Sequence, residues 1–253
     1  MLRTLLIWGL LAGLCGGLLA TGFSELAGEP AVNQAIAFES SSAAAAGEPH
    51  EHAIVSRGTQ RSVGLLTAAV VYGVSVGGLF ALAFAFAYGR VGRASPARTA
   101  LWLAAGAFVV VFLVPFVKYP ANPPSVGDPD TIGRRTELYL AMIVCSLLAA
   151  VAALRIRAWL ATRRDPTTAT VVAGLSYLAV VLAAGLILPG IHEVPKNFPA
   201  TTLWRFREAS IGMQAVLWAT IGVVFSVAAQ RVMVGAPARR RAAATGLVAS
   251  PGD

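Results

Sequence analysis

Charged residues are scarce in this chain of 253 residues, and the motifs of common soluble enzymes are missing. Asp, Glu, Lys and Arg make up 13% of the sequence against 57% hydrophobic residues, a balance that excludes an ordinary soluble globular protein. The chain contains no phosphate-binding Gly-rich loop with Lys-Ser/Thr, no nucleophile elbow, no CxxC pair and no HExxH motif. Coupling to ATP and the common hydrolytic mechanisms therefore have no visible machinery, and an enzyme is not predicted.

Cysteine and deeply placed charge are also scarce. The two cysteines, Cys15 and Cys145, lie inside apolar runs, which favours buried small residues over a disulfide framework. No Asp, Glu, His or Lys falls near the middle of such a run, where proton relays and ion sites of pumps usually carry one. This scarcity weakens the hypothesis of a self-sufficient secondary transporter.

Long apolar runs dominate what is present. Each is long enough to cross a ~30 Å hydrocarbon core as a helix, which takes about 20 residues. The sequence therefore predicts an all-α integral membrane protein with six spans in a single membrane domain, expected in the bacterial cytoplasmic membrane. The spans cover about residues 2–26, 63–88, 99–117, 137–159, 169–189 and 209–234, with an outer loop at 27–62 and a tail at 235–253.

Charge alternates between successive loops. The N-terminus, the second and fourth loops and the tail hold 12 of the 20 basic residues but only 2 of the 12 acidic ones. Because basic residues remain cytoplasmic, both termini are predicted inside, and the three histidines and ten acids outside. The net charge of +8 then reflects topology and contact with anionic membrane lipids, and nucleic acid is not an expected partner.

Small residues recur at helical spacing in the first two spans. Gly9 and Gly13 lie in the first span, and Gly73 and Gly77 form a Gly-x-x-x-Gly motif in the second. Such faces allow helix backbones to approach closely. These four glycines are predicted to be helix-packing positions.

The second half resembles a duplication. Lys118 and Asn122 follow span three much as His192 and Asn197 follow span five, with prolines at matching intervals. The next spans open with Arg134-x-x-Glu137-x-x-x-x-Met142 and Arg205-x-x-Glu208-x-x-x-x-Met213. We interpret spans 3–4 and 5–6 as two related hairpins. The alternative is coincidence, because Pro and Asn are common where helices leave a membrane.

His50-Glu51-His52 in the first outer loop is the first candidate metal site. Imidazole and carboxylate groups suit Co, Ni, Zn and Fe ions, and a bent loop can present both histidines together. Three ligands on a flexible loop would capture and release an ion readily. The alternative is a solvated polar loop, since His-x-His is a weak pattern.

The second candidate is a charged vestibule where the two hairpins meet, with His192 as a further metal ligand and Lys118 opposite it in the repeat. The alternative is structural: the carboxylates complement helix dipoles and pair with nearby arginines, and the methionines pack in the core. The vestibule residues are Glu137, Glu208, Asn122, Asn197, Lys118, Met142 and Met213.

Several segments together resemble the CbtA family of proposed cobalt-transporter subunits. They are Phe116–Arg135, which carries the longest signature, Glu193–Pro199, Leu203–Arg207 and Gln214–Trp218. The resemblance implies cobalt import for cobalamin synthesis together with CbtB, a small single-span partner subunit that bears histidine. It also implies a first outer loop rich in His and acidic residues, and His50-Glu51-His52 occupies that position with a shorter tract.

We therefore predict the membrane subunit of a divalent-metal importer. It would capture the ion on its acidic, histidine-bearing outer face and pass it inward. Co²⁺ is the expected transported ion, no resident cofactor is expected, and the expected partners are a CbtB-like subunit and membrane lipids. The alternative is a non-transporting membrane scaffold or assembly factor. A membrane-embedded enzyme is disfavoured because no nucleophile–base pair is visible.

Overall fold

Helices account for most of residues 1–46, 63–124 and 126–235, the part of the chain that the computed structural model describes. Six helical stretches in these ranges are long and apolar enough to cross a membrane, which confirms the all-α prediction. No strand occurs within the same ranges. The proposed metal ligands His50, Glu51 and His52 lie outside the described residues.

The α-helices of the described part are numbered here in chain order. They are α1 (Leu2–Phe23), α2 (Glu29–Ala46), α3 (Leu65–Ala87), α4 (Pro96–Ala107), α5 (Val114–Lys118), α6 (Ile132–Leu160), α7 (Pro166–Ile187) and α8 (Ala200–Gln230). A 3₁₀ turn at Pro129–Thr131 precedes α6.

Two π-helical stretches join α-helices without a break, and each precedes a proline. Ser24–Gly28 links α1 to α2 two residues before Pro30, and Phe108–Leu113 links α4 to α5 two residues before Pro115. A proline within a helix offers no N–H to the carbonyl one turn earlier and its ring crowds that carbonyl, so the preceding turn widens. The helix continues beyond this turn, so residues 29–46, which the sequence assigned to an outer loop, are helical.

Contacts divide the described residues into two compact units. The first contains residues 1–21, 63–106 and 216–235, and the second contains 22–46, 107–124 and 126–215.

In the first unit, α1 packs on α3 through glycines. A Cβ added at Gly9 would lie 2.5 Å from the carbonyl oxygen of Gly77, and one added at Gly13 would overlap the carbonyl oxygen of Gly73. Gly17 makes the same approach to Ala69, at 2.5 Å from its carbonyl oxygen. The backbones therefore touch, as glycine faces at this spacing permit.

Aromatic side chains complete the first unit around α8. Phe225 is fully buried, and its ring centroid lies 5.2 Å from that of Phe80 and 5.0 Å from that of Phe84, edge to face. Gln230 accepts a hydrogen bond from the backbone N–H of Ala97, with N and Oε1 3.3 Å apart. Edge-to-face aromatic pairs contribute about 0.5–1.5 kcal/mol beyond their buried area.

In the second unit, α6 and α7 form a helical hairpin. Met142, Ala149 and Val181 are buried between them. A hydrogen bond joins the hydroxyls of Ser146 and Tyr177, 2.9 Å apart. Asp165 caps the start of α7 by accepting a hydrogen bond from the backbone N–H of Thr168, 2.8 Å away, which satisfies a helix-terminal donor.

The outer faces of this hairpin are apolar. Leu175, Leu182 and Leu186 on α7 are exposed over 58–86% of their surface, and Leu148 on α6 over 66%. Exposed leucines in such number suit hydrocarbon rather than water. They agree with six helices that can cross a membrane.

Candidate functional site

The loop between α5 and α6 is built from residues that end helices. Lys118 ends α5, and Pro120, Pro123 and Pro124 follow. Gly127 has φ of +114°, a left-handed conformation that residues with a Cβ adopt reluctantly. The Asp128 carboxylate accepts a hydrogen bond from the N–H of Asp130, 2.9 Å away, and starts the 3₁₀ turn that leads into α6. The loop thus has a defined local geometry.

An ion pair ties this loop to the segment that follows α7. Arg135 Nε lies 3.5 Å from Glu193 Oε2, with the two side chains 27% and 19% exposed. Glu193 Oε2 also accepts a hydrogen bond from the N–H of Asp128, 3.1 Å away, and Arg135 donates to the Asp128 carbonyl at 3.2 Å. The guanidinium covers Gly127, where a Cβ would collide with it. The backbone angle favours glycine there, and a Cβ would also displace the end of the Arg135 side chain.

Arg207 of α8 holds the other end of the loop. Its Nε donates to the carbonyl of Ala121 at 3.3 Å, and its Nη2 donates to Oδ1 of Asn122 at 3.1 Å. Both acceptors are neutral, so these bonds position the loop without neutralising the guanidinium charge.

Tyr119 makes a third attachment. Its hydroxyl donates a hydrogen bond to the carbonyl of Pro189, 2.8 Å away. The side chain is 8% exposed, and burial raises the pKa of the Tyr119 hydroxyl, so it remains a protonated donor at neutral pH.

Apolar contacts hold the middle of the loop. Val126 packs with Ala35 of α2 and Phe198, and the Phe198 ring meets that of Phe38 edge to face at 5.1 Å. Thr202 donates to Oε1 of Gln34 at 2.8 Å on the same side. Helix α2 therefore packs against one side of the loop between α5 and α6.

A cavity of about 530 Å³ is lined by residues of the polar attachments, among them Tyr119, Arg135 and Arg207. The described charged residues that line it are three cations, Lys118, Arg135 and Arg207, and one carboxylate, Glu193. Phe112, Phe116, Leu140 and Ile191 are among its apolar walls. The cavity thus combines an excess of cationic lining residues with apolar ones.

A smaller pocket of about 360 Å³ lies between the π-helical stretch after α1 and the first turns of α8. Arg205 and Glu208 are its charged lining residues within the described part of the chain. Phe23, Pro30 and Ala31 form its apolar side.

The vestibule residues of the sequence analysis are distributed over several places. Lys118 and Asn122 line the larger cavity, and Glu208 lines the smaller pocket. Glu137, His192 and Asn197 are exposed and line neither.

The two methionines also differ in surroundings. Met142 is 2% exposed in the core between α6 and α7. Met213 is half-buried, and its sulfur accepts a hydrogen bond from the hydroxyl of Ser24, 2.9 Å away. The two methionines therefore do not line one common vestibule.

Among the described residues, no three His, Cys, Asp or Glu side chains gather as a metal site would require. The nearest carboxylate to His192 in the sequence, Glu193, is engaged by Arg135 and the backbone of Asp128.

Arg135, Arg207 and Tyr119 are the site residues that the sequence candidates omitted. Arg207, one of the arginines near the vestibule carboxylates in the sequence, bonds to loop oxygens. The signal available was the long signature Phe116–Arg135, which contains Tyr119 and Arg135 and whose length marked this loop as special.

Comparison with known proteins gives a family match. A model of the CbtA family, described as a probable cobalt transporter subunit, matches residues 2–230. No curated protein and no solved structure matches the chain.

Proposed function

We propose, since the chain belongs to the CbtA family of probable cobalt transporter subunits, that it is the membrane subunit of a cobalt importer. The family match over residues 2–230 is the observation that carries this proposal. Six helices able to cross a membrane support it. The transported Co²⁺ would be its substrate, and the subunit would have no enzymatic activity and no resident cofactor.

In the proposed mechanism, His50, Glu51 and His52 bind the arriving ion transiently, and the ion then passes inward to the carboxylate of Glu208 in the smaller pocket. Imidazole and carboxylate are suitable ligands for Co²⁺. The divalent series favours Ni²⁺ and Cu²⁺ over Co²⁺ at such ligands, so selectivity would come from geometry, supply or the partner.

The positive charge of the larger cavity disfavours a route for the ion through it. Three cations and one carboxylate line it among the described residues. A divalent cation about 8 Å from one uncompensated positive charge is disfavoured by about 4 kcal/mol at an effective dielectric constant of about 20. The smaller pocket, lined by Glu208 and one arginine, is a better candidate for the route.

The same electrostatics favour a second candidate function. A subunit whose larger cavity repels cations could stabilise or assemble a metal-uptake complex without conducting the ion itself. A family of transporter subunits implies further subunits, and a small CbtB-like, histidine-bearing protein is the proposed partner. In this alternative the partner supplies the route.

Cobalt uptake into proteoliposomes separates the two functions. Vesicles would contain the chain alone, the partner alone or both, with protein-free vesicles as the control, and each would be tested with and without a proton gradient. Uptake by the chain alone supports a transporter. Uptake by the partner alone, unchanged when the chain is added, would contradict the transport proposal.

Variants test the capture residues. Replacing His50 and His52 together by Ala should lower uptake at limiting cobalt and leave it unchanged at saturating cobalt, because capture affects affinity. Glu208→Gln tests passage of the ion through the smaller pocket, and Glu137→Gln is its matched comparison, because Glu137 is also exposed but lines neither pocket. Normal uptake in both Glu variants, with inserted protein verified, would leave these carboxylates a structural role only.

A further inference from the structure

The charged residues that line the larger cavity carry an excess of positive charge. This excess disfavours a bare metal cation and is left without a counter-charge when no ligand is bound. Of the cavity's described lining charges, Arg135 faces Glu193 at 3.5 Å. Arg207 donates to the neutral oxygens of Ala121 and Asn122. Lys118 Nζ lies 5.6 Å from the centroid of the Tyr119 ring. The cations therefore outnumber the single lining carboxylate.

Partial burial makes this excess unfavourable in the absence of a counter-charge. Arg135 is 27% exposed and Arg207 and Lys118 are half-buried. Charges withdrawn from water lose hydration and are stabilised again by an ionic partner. An anion seated among the three cations would supply that partner.

We propose that this cavity binds a phosphate-class anion. Arginine presents planar donor pairs that match phosphate oxygens, and lysine adds a compact positive charge. Arg207 keeps donor groups beyond the two used for Ala121 and Asn122, since a guanidinium has five N–H donors. A volume of about 530 Å³ accommodates a phosphate together with the group that carries it.

The position and the walls favour an amphiphilic carrier. Lys118 ends α5, Arg135 lies in the first turn of α6, and Arg207 lies in the second turn of α8. Ends of membrane-crossing helices lie at the depth of lipid headgroups. Phe116, Leu140 and Ile191 provide apolar walls beside the cations. An anionic phospholipid and a soluble phosphate ester share the recognised chemistry, and the experiment distinguishes them.

The test measures lipid binding to the full chain, purified in detergent, by native mass spectrometry. Phosphatidylglycerol and phosphatidylcholine with identical acyl chains are compared, because the choline cation would meet the cationic wall. We expect a preference for phosphatidylglycerol of about ten-fold, the effect of one charge-assisted contact. In a parallel arm, inorganic phosphate and glycerol 3-phosphate compete for the site.

Lys118→Gln is the informative variant, because the Lys118 contact in the described structure is only with a ring face and its loss leaves the loop attachments intact. It should reduce the preference several-fold, and Lys118→Gln with Arg207→Gln should abolish it. The matched control replaces Arg134 and Arg205, exposed arginines beside the cavity pair in sequence that do not line the cavity, with Gln. Folding of each variant is checked by gel filtration.

Competition by soluble phosphate without any lipid preference assigns the site to a soluble ester, and lipid preference without competition assigns it to a headgroup. Either result supports the proposal. It is overturned if the wild-type chain shows neither, if the folded double variant Lys118→Gln with Arg207→Gln keeps the wild-type effect, or if the Arg134 and Arg205 control variant reduces the effect as much. No metal is needed, so failure of the cobalt proposal leaves this result interpretable.

Discussion

The contacts inside the first compact unit differ in kind from those inside the second. In the first, backbone meets backbone at Gly9 and Gly77, and buried aromatic rings surround Phe225. In the second, the α6–α7 hairpin exposes most of its surface, and polar attachments concentrate in the loops. Buried residues make up 33% of the most apolar stretch of α3 but 11% of that of α7. Close packing of backbone and aromatic rings therefore stabilises the first unit, whereas hydrogen bonds and an ion pair hold the loops of the second.

Gly13→Val should have the largest effect, because it attacks the contact on which the first unit depends. The added Cβ would overlap the Gly73 carbonyl oxygen, and backbone atoms cannot move aside as a flexible side chain can. We expect a loss of more than the ~3 kcal/mol that overpacking usually costs, measured by denaturant unfolding in mixed micelles. Gly106→Ala is the control, since nothing lies within 4 Å of its added Cβ. A stable Gly13→Val protein would show that the glycine contact is dispensable.

Phe225→Ala should have the next largest effect. It empties a fully buried position between Phe80 and Phe84, and removal of a buried Phe costs about 3 kcal/mol or more through the cavity it leaves. Leu175→Ala on α7, 61% exposed, should cost a few tenths of a kcal/mol. Equal losses for the two variants would remove the contrast between the units.

Glu193→Gln tests the polar attachment of the second unit. It leaves Arg135 without its carboxylate and weakens the bond to Asp128. Since both side chains retain some exposure, we expect a loss of about 1 kcal/mol and earlier protease cleavage within residues 119–131. Arg134→Gln, an exposed neighbour, should leave the cleavage rate unchanged. A double-mutant cycle with Arg135→Gln measures the coupling, and a zero coupling would mean that the pair does not hold the loop.

Asp165 should show the smallest effect, visible as a dependence on pH. The backbone hydrogen bond from Thr168 is the main cause that lowers the pKa of this carboxyl. A lowered folded pKa means that the stabilisation is present above the unfolded pKa and is lost as pH falls through the folded value. Asp165→Asn keeps a capping group but does not titrate, so comparing melting temperatures of the two proteins through acidic pH isolates the effect. Parallel curves would contradict it.

The sequence predicted the parts of this molecule that follow from periodicity and composition. Six apolar runs became six candidate membrane helices, because hydrocarbon demands length and apolarity that a sequence displays directly. The helix through residues 29–46 was not foreseen, since Pro30 and a low-complexity stretch are typical of loops, and a π-helical turn accommodates that proline.

The site was less accessible to sequence reasoning. Arg135 and Glu193 are far apart in the chain, and their pairing depends on the backbone path at Gly127. Arg134 and Arg135 are adjacent and chemically identical, yet one is exposed and the other lines the cavity. Only the phase of α6 distinguishes them. Tertiary packing decides which of two like charges has a role, and a repeat pattern does not encode that choice.

The glycine contact in the first unit has a consequence for variant data. Gly13 and Gly73 carry no functional group, yet any side chain there would displace a helix backbone. Glu137 carries a charge but stands exposed on α6, where many residues would fit. In a deep mutational scan selected for insertion and abundance, the least tolerant positions would therefore be the chemically inert ones. Intolerance in this protein would identify where helices touch, and only a scan selected under limiting cobalt would identify where an ion does.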